Sequence, residues 1–339
     1  MKYLYLLFSI FIIPFLVVTT EKASVTAEMP VAEVLKQLGD KSITHQPNMG
    51  LKGVSAENGK KLFLEGISKN PNGKKSKKQS KHFVCTSCHN IVQEDPNLSV
   101  SDPQARLEYA DEKNIPFLQG TTMYGAVNRT SFYNGDYYKK YGTLVDKARN
   151  DIREAIQLCA VECAQGRPLK HWEIESVLAY LWTLEMKMED LELAAADFQT
   201  IKTAVDNGTN QAAAISLLKS KYLQGSPATF IAPPADRKAG ALNLTGNPDN
   251  GKLVYDLSCK HCHEHERYSF FKLDDSQLSL NHLNKHFNKY SRYSTYQVSR
   301  WGTSPVAGKK AYMPQYTKER MSVQQLEDLR AYVKQEAGK

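Results

Sequence analysis

Apolar positions along this chain recur at helical spacing, and the pattern predicts a mainly α fold. A short amphipathic stretch at 31–38 gives way to polar sequence, so 28–50 reads as an N-terminal arm. From Ser55, which is able to cap, the run Ala56-Glu57-Asn58-Gly59-Lys60-Lys61-Leu62-Phe63 turns helical and opens a first domain, 51–188. Apolar helices at 173–184 and 323–335 close that domain and a second one, 239–339. Between them, 191–205 and 211–223 carry helical periodicity and good helix formers, broken at Asn207-Gly208. Ile231-Ala232-Pro233-Pro234-Ala235-Asp236 then reads as extended chain. Residues 189–238 are thus expected to be a helical connector and linker rather than a third domain.

The two domains repeat one plan. Asn58-Gly59-Lys60 leading into Leu62-Phe63 is echoed by Asn250-Gly251-Lys252 leading into Val254-Tyr255, and Ala179-Tyr180-Leu181 by Ala331-Tyr332-Val333. A repeat of this length points to an internal duplication with divergent loops.

At the N-terminus, Met1-Lys2, an apolar run at 3–18 and the small-residue exit Val25-Thr26-Ala27 describe a secretory signal peptide, 1–27. Cleavage after Ala27 and a periplasmic location are expected; an uncleaved anchor is the alternative and the one membrane attachment foreseen. The first cysteine is Cys85, so this segment offers no site for a lipoprotein anchor. A composition of 41% hydrophobic and 24% charged residues is that of a globular protein and excludes a multi-span transporter. The excess of 44 basic over 36 acidic residues favours encounters with acidic partners or anionic substrates. Nucleic acid is not expected, because no aromatic-basic binding motif accompanies the charge. Lys69, Lys74, Lys75, Lys77 and Lys78 crowd the polar insertion at 68–80, read either as a solubilising loop or as a docking patch for an acidic redox partner.

Four of the six cysteines decide the chemistry. Cys85-Thr86-Ser87-Cys88-His89 and Cys259-Lys260-His261-Cys262-His263 have the spacing of covalent haem attachment, two thiols and a histidine placed to ligate iron. Two such motifs inside a duplication predict two covalently attached haem c groups, with His89 and His263 as proximal ligands, over zinc or thioredoxin-like alternatives.

Each iron has a second axial position. Residues 247–336 resemble a small class I cytochrome c, in which a methionine in a Met-Pro loop precedes the last helix. That resemblance puts Met313 of Tyr312-Met313-Pro314 on the second iron, with His282 and His286 as competitors. Met313 precedes Ala331 by 18 positions, and the same offset before Ala179 falls on Val161, flanked by Cys159 and Cys163. A cysteine is therefore the expected distal ligand of haem 1. A local disulfide and inert buried thiols remain the other readings of this pair.

The stretch Ile156-Gln157-Leu158-Cys159-Ala160-Val161-Glu162-Cys163-Ala164-Gln165-Gly166-Arg167-Pro168-Leu169, continuing to Ala179-Tyr180-Leu181, resembles the cysteine-ligated haem domain of thiosulfate dehydrogenases and of the cytochrome subunit of the periplasmic sulfur-oxidation complex. The resemblance covers roughly the two haem domains. It implies Cys159 as ligand, electrons running from haem 1 to a methionine-ligated haem 2, and thiosulfate or a related sulfur anion as substrate. Ala155 stands where those families carry an arginine, and Cys163 is not part of their pattern. Arg149, Arg153 and Arg167 lie near Cys159 in sequence, and Asn128-Arg129 lies in an aromatic stretch expected to fold over the haem; each suits an oxyanion, a haem propionate or a surface ion pair. A sulfur oxidoreductase using Cys159, Arg149, Arg153 and Arg129 is one reading. A non-catalytic carrier, or a cytochrome subunit of a larger respiratory complex, is the other.

Overall fold

The computed structural model describes residues 24–303 and 313–338. The fold is mainly α, and among the described residues there is no strand, only three isolated bridges. In chain order come α1 (Val31–Gln37), α2 (Ala56–Glu65), α3 (Pro103–Glu112), α4 (Tyr138–Tyr141) and α5 (Ile152–Leu158). Then follow α6 (His171–Trp182), α7 (Ala195–Asn207), α8 (Gln211–Lys219) and α9 (Pro248–Val254). The chain ends through α10 (Lys260–His263), α11 (Gln277–Phe287), α12 (Thr295–Trp301) and α13 (Val323–Ala337). None is long and apolar enough to cross a membrane.

The duplication has a packing reason. α2 crosses α6 at Gly59, where an added Cβ would stand 1.8 Å from the carbonyl oxygen of Ser176. α9 crosses α13 at Gly251, where it would stand 1.9 Å from that of Asp328. Glycine lets each pair of backbones touch. Beside each crossing the same aromatic contact recurs, Phe63 on Tyr180 and Tyr255 on Tyr332, both with ring centroids 5.5 Å apart. Ser55 caps α2 through Asn58 N–H, and Ser322 and Gln325 form a reciprocal capping box on α13.

Three apolar clusters form rather than two. Leu62, Phe63, Val177, Leu178 and Leu181 make the first domain's core. The second domain's core recruits Leu107, Ala110 and Phe117 from the α3 segment, so a piece of 51–188 packs in the other domain. α3 cannot bury its apolar face at home; Phe117 N–H instead donates to Leu257 O, and Gln325 Nε2 to Pro103 O. The third cluster unites the arm with the connector: Val31, Val34, Leu35 and Leu38 of α1 and its C-cap pack on Ile201, Ala204, Val205 and Leu218 of α7 and α8. Arm and connector, expected as separate pieces, bury one another because neither has enough apolar surface alone. Met186 and Met188 belong to this cluster.

Residues 1–23 of the expected signal peptide lie outside the described residues. Val25 does not; it is 4% exposed within the third cluster, and Ala27 O accepts from Glu189 N–H. A chain cut after Ala27 would lose both contacts.

Candidate functional site

The first domain is hollow beside its attachment motif. The cavity, partly open to solvent, is lined by Cys85, Cys88, His89, Met123, Arg129, Cys159 and Cys163, among others. Cys85–Ser87 form a single 3₁₀ turn, and His89 N–H closes on Cys85 O. The next wall is cut to fit His89: a Cβ on Gly120 would stand 2.5 Å from the imidazole, and Thr121 O holds Nδ1 at 2.7 Å. That hydrogen bond leaves Nε2 as the lone-pair nitrogen, as an oriented metal-binding histidine requires. Burial keeps the ring neutral by lowering its pKa, against the opposing effect of Thr121.

The second motif follows the same design. His263 Nδ1 meets Phe271 O at 2.7 Å, and burial lowers the pKa of this ring too. Cys259 and Met313 are both half-buried against the second domain's core. Met313 is fixed through its backbone, donating to Thr303 Oγ1 at 2.8 Å and accepting from Thr303 N–H at 2.9 Å; its neighbour Tyr312 lies outside the described residues. The competitors sit elsewhere: His282 is exposed and packs on the ring of Phe271, the residue that holds His263, while His286 stacks on His282. Cys259 ends a π-turn, Tyr255–Cys259, that leads directly into α10.

Cys159 and Cys163 begin and end another π-turn, closed by Ala164 N–H on Cys159 O at 2.8 Å. The turn is buttressed from the lysine-rich insertion, whose Gln79 donates to Ala160 O and whose Ser80 donates to Ala164 O. Gly166 is required here, since a Cβ would stand 2.2 Å from Gln79 Nε2. The two sulfurs are not joined, and the disulfide reading is not what the structure contains. A hydrogen bond with Cys163, then burial, pushes the Cys159 thiol well above its ordinary value. Met123 also reaches the cavity, from a backbone pinned by Asn90 O two residues past Thr121.

Of the four arginines considered, only Arg129 lines the cavity. It is buried and donates to Thr122 O and Tyr124 O. Arg153 is engaged by Glu175 at 2.6 Å and Arg167 by Glu173 at 2.6 Å. Arg149 lies over the Tyr138 ring, away from the lining. Arg149 and Arg153, near Cys159 in sequence, are not among the residues that line the cavity.

The cation beside the cysteines is Lys140. Its Nζ donates to Trp301 O at 2.8 Å and Gln315 Oε1 at 2.5 Å, and burial pushes its pKa down to about 8, against the attraction of Cys163. Tyr141 Oη lies 3.9 Å from Cys163 Sγ. Tyr133, Tyr137 and Tyr141 line the cavity, and burial raises each phenol's pKa. Pro314 and Gln315 join them from the second domain, so the segment carrying Met313 also walls the first cavity. The tyrosine spacing at 133, 137 and 141 was a signal in the sequence; Lys140 and Gln315 carried none.

The residues fit a haem at the first site. The cavity is apolar, a neutral histidine aims a nitrogen into it, and its His89 side has surplus positive charge. There Arg106, Arg129 and Arg320 face Glu94 and Asp95, with Nε of Arg106 and Arg320 buried and unpartnered, a setting suited to an anionic substituent. Among the described residues no three His, Cys, Asp or Glu side chains converge as a bare metal-ion site.

The two attachment motifs touch. Cys262 Sγ lies 3.9 Å from Ser87 O, and the His261 ring faces the backbone of Thr86 and Ser87. Comparison with protein-family models, curated proteins and solved structures finds no match.

Proposed function

We propose that this chain is an exported, periplasmic diheme c-type cytochrome that passes electrons between two adjacent haems, with sulfur-anion oxidation at the first. The observation that carries the reading is the contact between the two CxxCH motifs, Cys262 against Ser87 at 3.9 Å. Electron tunnelling falls steeply with separation, and groups attached on either side of this contact are neighbours. Covalently bound haem supplies one-electron transfer at iron, with a potential set by the axial ligands. Cys85 and Cys88, and Cys259 and Cys262, would hold the two groups, with His89 and His263 proximal.

Cys159 suits the distal position of the first site and Met313 that of the second. A thiolate lowers the potential and a methionine raises it, so electrons run from the first site to the second. Lys140, Tyr141 and Gln315 supply charge and donors for a small oxyanion beside the cysteines, the role that Arg149 and Arg153 do not fill. Thiosulfate is the anion of choice by the sequence resemblance.

A carrier without its own substrate is the second reading, favoured by the lysine hairpin. Asn70 N–H to Lys74 O and Ser76 N–H to Ser68 O order this insertion, and Lys69, Lys74, Lys75, Lys77 and Lys78 stand exposed on it, a surface for an acidic redox partner.

Electron paramagnetic resonance of the oxidised protein and a visible titration with thiosulfate separate the readings. A thiolate-type low-spin signal that Cys159→Ala abolishes, with haem reduction by thiosulfate, is expected. Two haems with no thiolate signal and no response to thiosulfate would leave the plain carrier.

A further inference from the structure

Cys163 has no role as an iron ligand in the proposed function, yet the backbone presents it to Cys159. An α-helix completes a turn in 3.6 residues, so side chains four apart are offset around its axis. The i→i+5 closure of Ala164 N–H on Cys159 O puts more residues into the turn. Four residues then fall just short of a full turn, so Cys163 returns to the same face as Cys159. The two thiols hydrogen-bond, are not joined to one another, and are half-buried on a cavity open to solvent. Converging side chains are the condition for a disulfide that a regular helix strains.

Cys163 also has the Tyr141 hydroxyl at 3.9 Å, a hydrogen-bonding group that can hold its sulfur at the cavity wall. The thiolate is the attacking form in disulfide exchange.

We propose that Cys159 and Cys163 form a reversible dithiol–disulfide pair, closed and opened by small-molecule disulfides and thiols of the glutathione class. One of the two sulfurs, as its thiolate, attacks one sulfur of the external disulfide, whose S–S bond breaks; the leaving thiolate takes up the proton that the attacking thiol released. The other protein thiol then gives up its proton, attacks the first protein sulfur and expels the second external thiol. Two protein S–H bonds become one S–S bond while one external disulfide becomes two thiols, so atoms and electrons balance. Closure engages the sulfur that the proposed function assigns to the first iron. The inference rests on that reading for this consequence alone.

The holo-protein is poised with mixtures of reduced and oxidised glutathione, alkylated and digested with trypsin. The peptide 154–170 carries both cysteines and no other, because the bond between Arg167 and Pro168 resists cleavage. We expect this peptide to convert, as the poise becomes oxidising, from a doubly alkylated form to an unalkylated one lighter by two hydrogens, and to revert with excess dithiothreitol. Cys163→Ser abolishes that form, and the visible spectrum at haem 1 follows the conversion in the wild type but not in the variant. A peptide doubly alkylated at every poise, or one that stops at a glutathione adduct on Cys163, would overturn the proposal. Haem content per chain, measured on the same samples, tests the diheme reading separately, since closure of the pair does not require it.

Discussion

At the residue scale, the group with most at stake outside the cavity is Glu94. It is 1% exposed, meets Arg320 at 2.7 Å and accepts from Asn90 Nδ2 and Thr122 N–H. Burial alone would raise its pKa, but Arg320 and Arg106 hold it down at about 2. Arg320 comes from the second domain and donates also to Leu118 O and Gly120 O, so the pair pins the two domains beside His89. Glu94→Gln leaves two buried guanidiniums undercompensated and should cost about 3–5 kcal/mol, measured as a lowered urea midpoint. A carboxyl depressed by folding stabilises above its ordinary value of 4.5, and that contribution is lost as pH falls toward about 2. Asp95 has the opposite sign: burial and Glu94 push it up to about 6, so its cost grows as pH rises from 3.8 to about 6. Urea midpoints against pH should lose the acid decline in Glu94→Gln and the fall between about 4 and 6 in Asp95→Asn. Gly120→Ala should displace His89 and lower haem incorporation at the first site, read as haem per chain. The CxxCH spacings at 85–89 and 259–263 were legible because they are local in the chain. Lys140 and Gln315 were not, being 175 positions apart and joined by one hydrogen bond across a domain boundary.

At the element scale, the two glycine crossings provide a matched test. Gly59→Ala and Gly251→Ala each push a Cβ into a carbonyl of the partner helix, α6 or α13, and backbone cannot yield as a side-chain tip does. Each should cost about 1–3 kcal/mol or more by overpacking. The first should broaden haem 1 signals and the second haem 2 signals in the visible and magnetic resonance spectra. The lysine hairpin carries a different prediction. Replacing Lys69, Lys74, Lys75 and Lys77 by Glu should slow electron exchange with a small acidic redox protein on the order of 10-fold at low salt, and added salt should erase the difference. The helices themselves were legible from periodicity and caps, Ser55 and Ser322 above all. The π-turn at Cys159–Cys163 was not, because one shifted backbone hydrogen bond leaves no mark in the residue pattern.

At the scale of the whole molecule, the boundaries drawn from sequence are crossed by packing. α3 leaves its own domain for the other core, α1 and Val25 join the connector, and Pro314 and Gln315 close a cavity that belongs to the first domain. The linker is held too, with Phe230 packed on Tyr137 and Trp301 at 5.3 Å each. Unfolding of the two CxxCH-bearing domains should accordingly be cooperative. Scanning calorimetry of the wild type is expected to give one main transition, resolved into two when Glu94→Gln removes the buried tie.

The sequence by itself determined the mainly α class, the duplicated plan and the spacing of the two CxxCH motifs. Helical period, caps and CxxCH spacing are short-range properties, written within a turn or two of the residues that express them. Tertiary structure alone decided that the two motifs meet at Ser87 and Cys262, that Lys140 rather than Arg149 or Arg153 stands by the cysteines, and that the arm completes the connector's core. Each of these joins residues far apart in the chain whose side chains must bury apolar area or satisfy charge together. No local pattern encodes which distant surface will do so.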